Sequence, residues 1–184
     1  MTPLTAMCAD AISLLCATLS RTKPTCTALL FAAATFASAA SLAGGLAGCI
    51  AFETTTPAGF VELDDQQPNY DYRAVSADGV VIAVREIKHD PKGSSEFWVT
   101  AIRNQMRDTA GYALIEEKKV TTRSGLQGTQ LKFGHDQDGV TMLYDVTIFV
   151  TKKYIFLLEF GGTKDEMTRN AANLAKVVEN FREK

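Results

Sequence analysis

Cysteine is missing from the 135 residues after Cys49, and the four present (Cys8, Cys16, Cys26 and Cys49) all fall near the start of the 184-residue chain. A disulfide framework is thereby excluded for everything downstream, as is any cysteine nucleophile beyond Cys49. Charge is missing too: no Asp, Glu, Lys or Arg occurs from Thr25 to Gly48, although Arg21 and Lys23 stand just upstream. The chain also lacks a basic excess, with 19 Lys and Arg against 21 Asp and Glu and a net charge of −2. A phosphate-backbone binder carries a basic face, so nucleic acid is excluded as a partner. Catalytic signatures are lacking as well. There is no nucleophile elbow, and "PKGSSE" lacks both the leading glycine and the Gly-Lys-Ser/Thr ending of a phosphate loop.

What is present divides unevenly along the chain. Residues 1–48 hold one acid, Asp10, and two bases, and are otherwise mostly Ala, Leu, Ser, Thr and Gly. A positive flank, then an apolar stretch ("ALLFAAATFASAASLAGG"), then small residues is the order of a secretory signal. The stretch is only moderately apolar, where a permanent span is usually richer in Leu, Ile and Val; an uncleaved span of ~20 residues is the alternative. It ends in Leu46-Ala47-Gly48-Cys49, which resembles the lipobox of bacterial lipoproteins at all four positions. The resemblance implies a diacylglyceryl thioether on Cys49, cleavage before it by a signal peptidase that recognises Leu46, Ala47 and Gly48, and acylation of the new amine. Two or more acyl chains give lasting membrane attachment. Ile50, not Asp, follows Cys49, which in enteric-type bacteria points to the outer membrane over the inner.

The mature remainder is long enough to bury one core without disulfides or a metal. Residues 49–68, with three consecutive threonines and two prolines, read as a flexible tether, and residues 69–184 as a single domain. Strands are predicted at 70–75 and 79–87, joined through Asp78-Gly79, a hairpin signal. Residues 94–109 are predicted helical, with Trp98, Ile102 and Met106 on one face and Gly111 past the end. Four strands follow at 112–122, 126–133, 139–151 and 154–160. The clearest is 139–151, where Val140, Met142, Tyr144, Val146, Ile148 and Val150 alternate with Thr141, Asp145, Thr147 and Thr151. A closing helix begins with the capping box Thr163–Glu166 and carries Met167, Ala171, Leu174, Val178 and Phe181 as an apolar stripe.

The expected fold class is therefore α+β: an antiparallel sheet of about six strands packed by two helices, in the order β-β-α-β-β-β-β-α. That order, ending in an amphipathic helix that reads "VVENF", resembles the PsbP-like fold over residues ~60–184. The resemblance implies a protein that works by binding, as members of this fold generally do, and it carries over no functional residue.

The search for chemistry leaves few residues. His135, Asp136 and Asp138 lie in "GHDQDG", but an Asp-x-Asp calcium loop needs further ligands and a distal Glu, and turn formation accounts for these residue types; no metal site is expected. His89-Asp90-Pro91 reads as a loop into the first helix. Glu116-Glu117 beside Lys118-Lys119 reads as a solvated strand, because adjacent strand residues diverge. Leu143 and Phe149 interrupt the polar face of the alternating strand. They imply a cover, from the first helix or from a partner, and are the candidate interaction surface. The expectation is a lipid-anchored, non-enzymatic envelope protein that needs no cofactor and binds a protein partner. A carrier of a small apolar ligand held between helix and sheet is one alternative. An enzyme with a site dispersed around His135 is the other.

Overall fold

The alternation over 140–150 sets the centre of the molecule. The computed structural model describes residues 50–64 and 69–184. In it the strand Val140–Val150 turns Met142, Tyr144, Val146 and Ile148 to one side, and Leu143, Asp145, Thr147 and Phe149 to the other. In chain order the strands are β1 (Phe52–Glu53), β2 (Phe60–Glu62), β3 (Tyr72–Ser76), β4 (Val81–Lys88), β5 (Ala113–Thr121), β6 (Gln127–Gln137), β7 (Val140–Val150), β8 (Tyr154–Thr163) and β9 (Arg182–Glu183). The helices are α1 (Ser95–Asp108), α2 (Lys164–Arg169) and α3 (Ala171–Asn180). Seven strands form one antiparallel sheet in the order β2-β3-β4-β8-β7-β6-β5, and β1 pairs with β9 apart from it. The fold class is α+β, as expected.

Local chemistry explains the connections. Asp138 and Gly139 have φ of 52° and 80°, the left-handed pair that a tight β6–β7 hairpin requires. Ser94 caps α1 by accepting the Phe97 N–H at 3.1 Å, and Trp98, Val99, Ile102 and Met106 are its buried face. They pack with Leu131, Phe133, Tyr144, Val146 and Ile148 on one side of the sheet. The capping box at α2 forms as predicted: Thr163 Oγ1 accepts the Glu166 N–H, and Glu166 Oε2 accepts the Thr163 N–H at 3.0 Å.

Three features differ from the sequence expectation. First, the closing helix is two helices. Asn170, at φ −92° and ψ 1°, breaks it, and its side chain donates to Glu166 O and to Asp78 on the β3–β4 turn. Asp78 thereby ties the hairpin to the helix junction, and the Ser76 hydroxyl is the main cause holding its carboxyl below the usual range. Second, the stretch read as a tether belongs, in its described part 50–64, to the fold. It supplies β1 and the edge strand β2, because Phe52 and Phe60 find apolar partners and are only 1% and 8% exposed. Third, β7, whose alternation reads as one apolar and one polar face, is buried on both faces over residues 144–149. Asp145, Thr147 and Phe149 are buried on the face opposite α1, under cover from the chain's own C-terminal region.

That second face holds the larger core. Phe181, immediately after α3, is fully buried between Phe149 (5.1 Å, interplanar 4°) and Phe52 (5.6 Å, 20°), with Phe156 edge-on at 5.5 Å. Gly128 opposes Phe149 across the ladder, and a Cβ there would fall 2.5 Å from the ring. On the other face, the buried Arg85 and Glu159 pair at 2.8 Å, with the Tyr70 hydroxyl accepting from Arg85 Nη2 and the Tyr70 ring 4.5 Å beneath the guanidinium.

Truncating Phe181 removes the contact shared by both ends of the described chain and two strands. Phe181→Ala should cost about 3–5 kcal/mol in urea-unfolding free energy. Gly128→Ala should also destabilise, since the ring it displaces has no other space; an unchanged midpoint for either variant would contradict this packing.

Candidate functional site

The C-terminal helices cover less of the sheet than the sheet offers. α2 packs on β8 and β7, and α3 reaches the β5–β6 turn, where the Arg123 N–H donates to Glu179 O at 2.7 Å; the face is open between these helices and the strands β5–β7. The result is a groove of about 500 Å³ with two unlike walls. Met167, Ala171, Leu174, Ala175 and Val178 form the apolar wall. Lys118, Gln130, Lys132 and Asp145 form a polar floor, brought side by side by the pairings Lys118↔Gln130↔Thr147 and Glu116↔Lys132↔Asp145.

The floor contains one group that is not fully satisfied. Gln130 Nε2 donates to the buried Thr147 hydroxyl at 3.1 Å, so that pair is complete. Asp145 is 8% exposed; its Oδ2 lies 3.7 Å from Lys132 Nζ, and its Oδ1 is buried with no hydrogen-bond partner. Burial pushes the carboxyl above its usual range, against the lowering pull of Lys132 and Lys118. An acceptor held at the foot of an apolar wall suits a ligand that presents an N–H or O–H beside apolar groups. No sequence motif marks it; the signal was an aspartate on the polar face of an alternating strand, which reads equally well as solvated.

The residues singled out from the sequence fall in several places. Leu143 is half-buried and lines the groove, so the cover it implied is supplied in part by α2 and α3, not by α1. Phe149 is fully buried against Phe181 and offers no surface. Leu46, Ala47, Gly48 and Cys49 lie outside the described residues. The ring of His135 lies 5.2 Å from that of Tyr112, while Asp136 accepts the Thr141 hydroxyl. His89 is a buried organiser of the loop before α1: its Nε2 accepts from Gly93 N and Trp98 Nε1, which leaves Nδ1 to donate to Thr151 O at 2.6 Å. Among the described residues no three His, Cys, Asp or Glu side chains converge as metal ligands, and no helix is long and apolar enough to cross a membrane.

Among solved structures, two illustrate the likeness of fold. LpqN, involved in cell envelope biogenesis of Mycobacterium tuberculosis, superposes with a TM-score of 0.60 at 13% identity, over 71% of this chain and 81% of its own. The cyanobacterial PsbP of Synechocystis superposes with a TM-score of 0.53 at 12% identity, over 73% of this chain and 87% of its own. The fold is PsbP-like. No family model and no curated protein matches the sequence. At such identities the likeness is one of fold and does not name what enters the groove.

The raised Asp145 carboxyl has a signed consequence. The fold favours its protonated form, so its contribution to stability is present at low pH and lost as pH rises from the ordinary aspartate range through the raised folded value. Asp145→Asn should therefore gain stability relative to the parent across that interval and hold the gain above it. Urea midpoints measured from pH 3 to 8 check this; a difference independent of pH would contradict it.

Proposed function

We propose that the protein is a lipid-anchored, non-catalytic binding protein of the bacterial cell envelope, whose PsbP-like domain receives a protein partner in the groove between β5–β7 and α2–α3. The observation that carries the binding role is that groove, with its apolar helical wall facing a polar floor that includes the unsatisfied Asp145. Its open, half-polar character suits a peptide or loop segment, which brings both apolar side chains and backbone N–H groups. The space between α1 and the sheet, where an enclosed apolar ligand would sit, is filled by Trp98, Ile102, Met106, Leu131 and Phe133.

The anchor rests on Leu46-Ala47-Gly48-Cys49, placed after a charged and then apolar segment. The envelope assignment is supported further by a structural neighbour involved in cell envelope biogenesis. On this reading Cys49 carries the lipid, no cofactor is needed, and the domain faces away from the cytoplasm.

The anchor is tested by Cys49→Ala, which should abolish acyl labelling and leave an unprocessed chain of higher mass; labelling that persists would refute it. The groove is tested by photo-crosslinking in intact cells from position 121, at its rim, and from position 107, on α1. A discrete adduct is expected from 121 alone, and Ala175→Arg, which fills the groove from the exposed side of α3, should remove it. Identical adducts from both positions, or an adduct that survives Ala175→Arg, would overturn the groove as the binding site.

A further inference from the structure

We propose that the end of the sheet where Ile50 enters the fold lies against anionic lipid headgroups, so that the domain is held on the bilayer in one orientation. The proposal rests on Cys49 as the anchor. Its first support is covalent. The Ala51 N–H donates to Glu86 Oε2 at 2.6 Å, the Ala51 carbonyl accepts the Lys184 N–H at 2.8 Å, and Phe52 is buried. Two peptide units separate Ala51 from Cys49, a reach of about 7 Å. A lipid on Cys49 therefore has no tether, and whatever surrounds Ala51 is brought to the membrane surface.

What surrounds it is a lysine-rich end of the sheet. The Thr151 hydroxyl donates to Glu183 and so joins the β7–β8 turn to β9. The His89 N–H donates to Lys153 O, and Lys92 Nζ donates to Lys152 O, joining the loop before α1 to the same turn. These links gather Lys88, Lys92, Lys152, Lys153 and Lys184, all exposed, on one surface of a chain whose net charge is −2. The carboxylates there are Asp71 and Glu86, half-buried and accepting backbone N–H groups, and the exposed Asp90 and Glu183, so the five lysines exceed them by one. Two apolar side chains accompany the lysines. Ile50 is 37% exposed, and Phe97, in the first turn of α1 against Gly93, is 57% exposed. Cations ringing exposed apolar side chains, at the point of lipid attachment, match an anionic interface, where each lysine favours binding about fivefold.

The test uses the full chain purified from membranes and reconstituted into vesicles of phosphatidylcholine, alone or with phosphatidylglycerol. A water-soluble amine reagent is applied, and labelling at each lysine is read by mass spectrometry. In phosphatidylglycerol vesicles Lys152 and Lys153 should label at least fivefold more slowly than in detergent, while Lys164 and Lys176, exposed on α2 and α3, change less than twofold. The variant Lys152→Glu/Lys153→Glu should lose the protection of Lys92 while keeping its acyl group. Uniform labelling of an acylated chain would overturn the orientation and leave the anchor standing. Protection that follows protein density instead of lipid charge would assign the surface to a second copy and overturn the proposal. An N-terminal peptide without acyl mass refutes the anchor by itself. The surface is then judged by mixing the chain with phosphatidylglycerol vesicles, where protection of Lys152 and Lys153 supports it and uniform labelling overturns it.

Discussion

The stack of Phe181 between Phe52 and Phe149 holds the molecule together, because it is where the two ends of the described chain and the centre of the sheet meet. Each ring needs the others. Phe149 stands over Gly128, where no side chain competes for the space, and Phe181 closes over Phe149 because α3 ends at Asn180 and the next residue turns inward. Phe52 then covers the outer side of Phe181, and the β1–β9 pairing beside it satisfies backbone groups that would otherwise be buried unpaired. Four aromatic rings at separations near 5–6 Å supply a large share of the apolar area on that face.

The same packing decides where the fold is left open. α2 and α3 are held toward β8 by the aromatic stack at one end and by Asp78–Asn170 at the other. α3 also meets the β5–β6 turn, where Arg123 pairs with Glu179, so the opening lies between these helices and the strands β5–β7. β5 is an edge strand exposed along nearly its whole length. Its Glu116-Glu117-Lys118-Lys119 run and the bulge at Ile115 make it a poor template for another strand.

Anchoring and packing are also coupled. On the proposed anchor, a chain pinned at Ala51, two residues from Cys49, has few orientations at the membrane, whereas a domain on a long linker samples many. The groove lies on the face covered by α2 and α3, beside the sheet edge β5, and the lysine-rich end lies where β4, β8 and β9 meet. On that proposal, orientation at the bilayer sets the direction from which the groove can be approached.

Much of the fold was legible from residue order because strand alternation, the Asp-Gly turns and the Thr163–Glu166 box are local, and local chemistry needs no knowledge of neighbours. The hairpins, α1 and the start of the closing helix follow from it, as does the resemblance to a PsbP-like order of elements. The candidate site was not legible to the same degree. Asp145 reads as one more polar residue on a solvated face until α2 and α3 are placed beside it, and only then is its Oδ1 seen to be buried without a partner. Phe149 announced that something covers its face, but not that the cover is Phe181, 32 residues further on. The segment 50–64 misled because threonine and proline runs without periodicity resemble a linker, and a strand of two residues has no period to detect. The sequence by itself determined the element types, the turns and the lipobox-like Cys49, since each depends on a few adjacent residues. Tertiary structure alone decided which face is covered, where the groove opens and that residues 50–53 belong to the fold, because these depend on contacts between distant segments that no local pattern encodes.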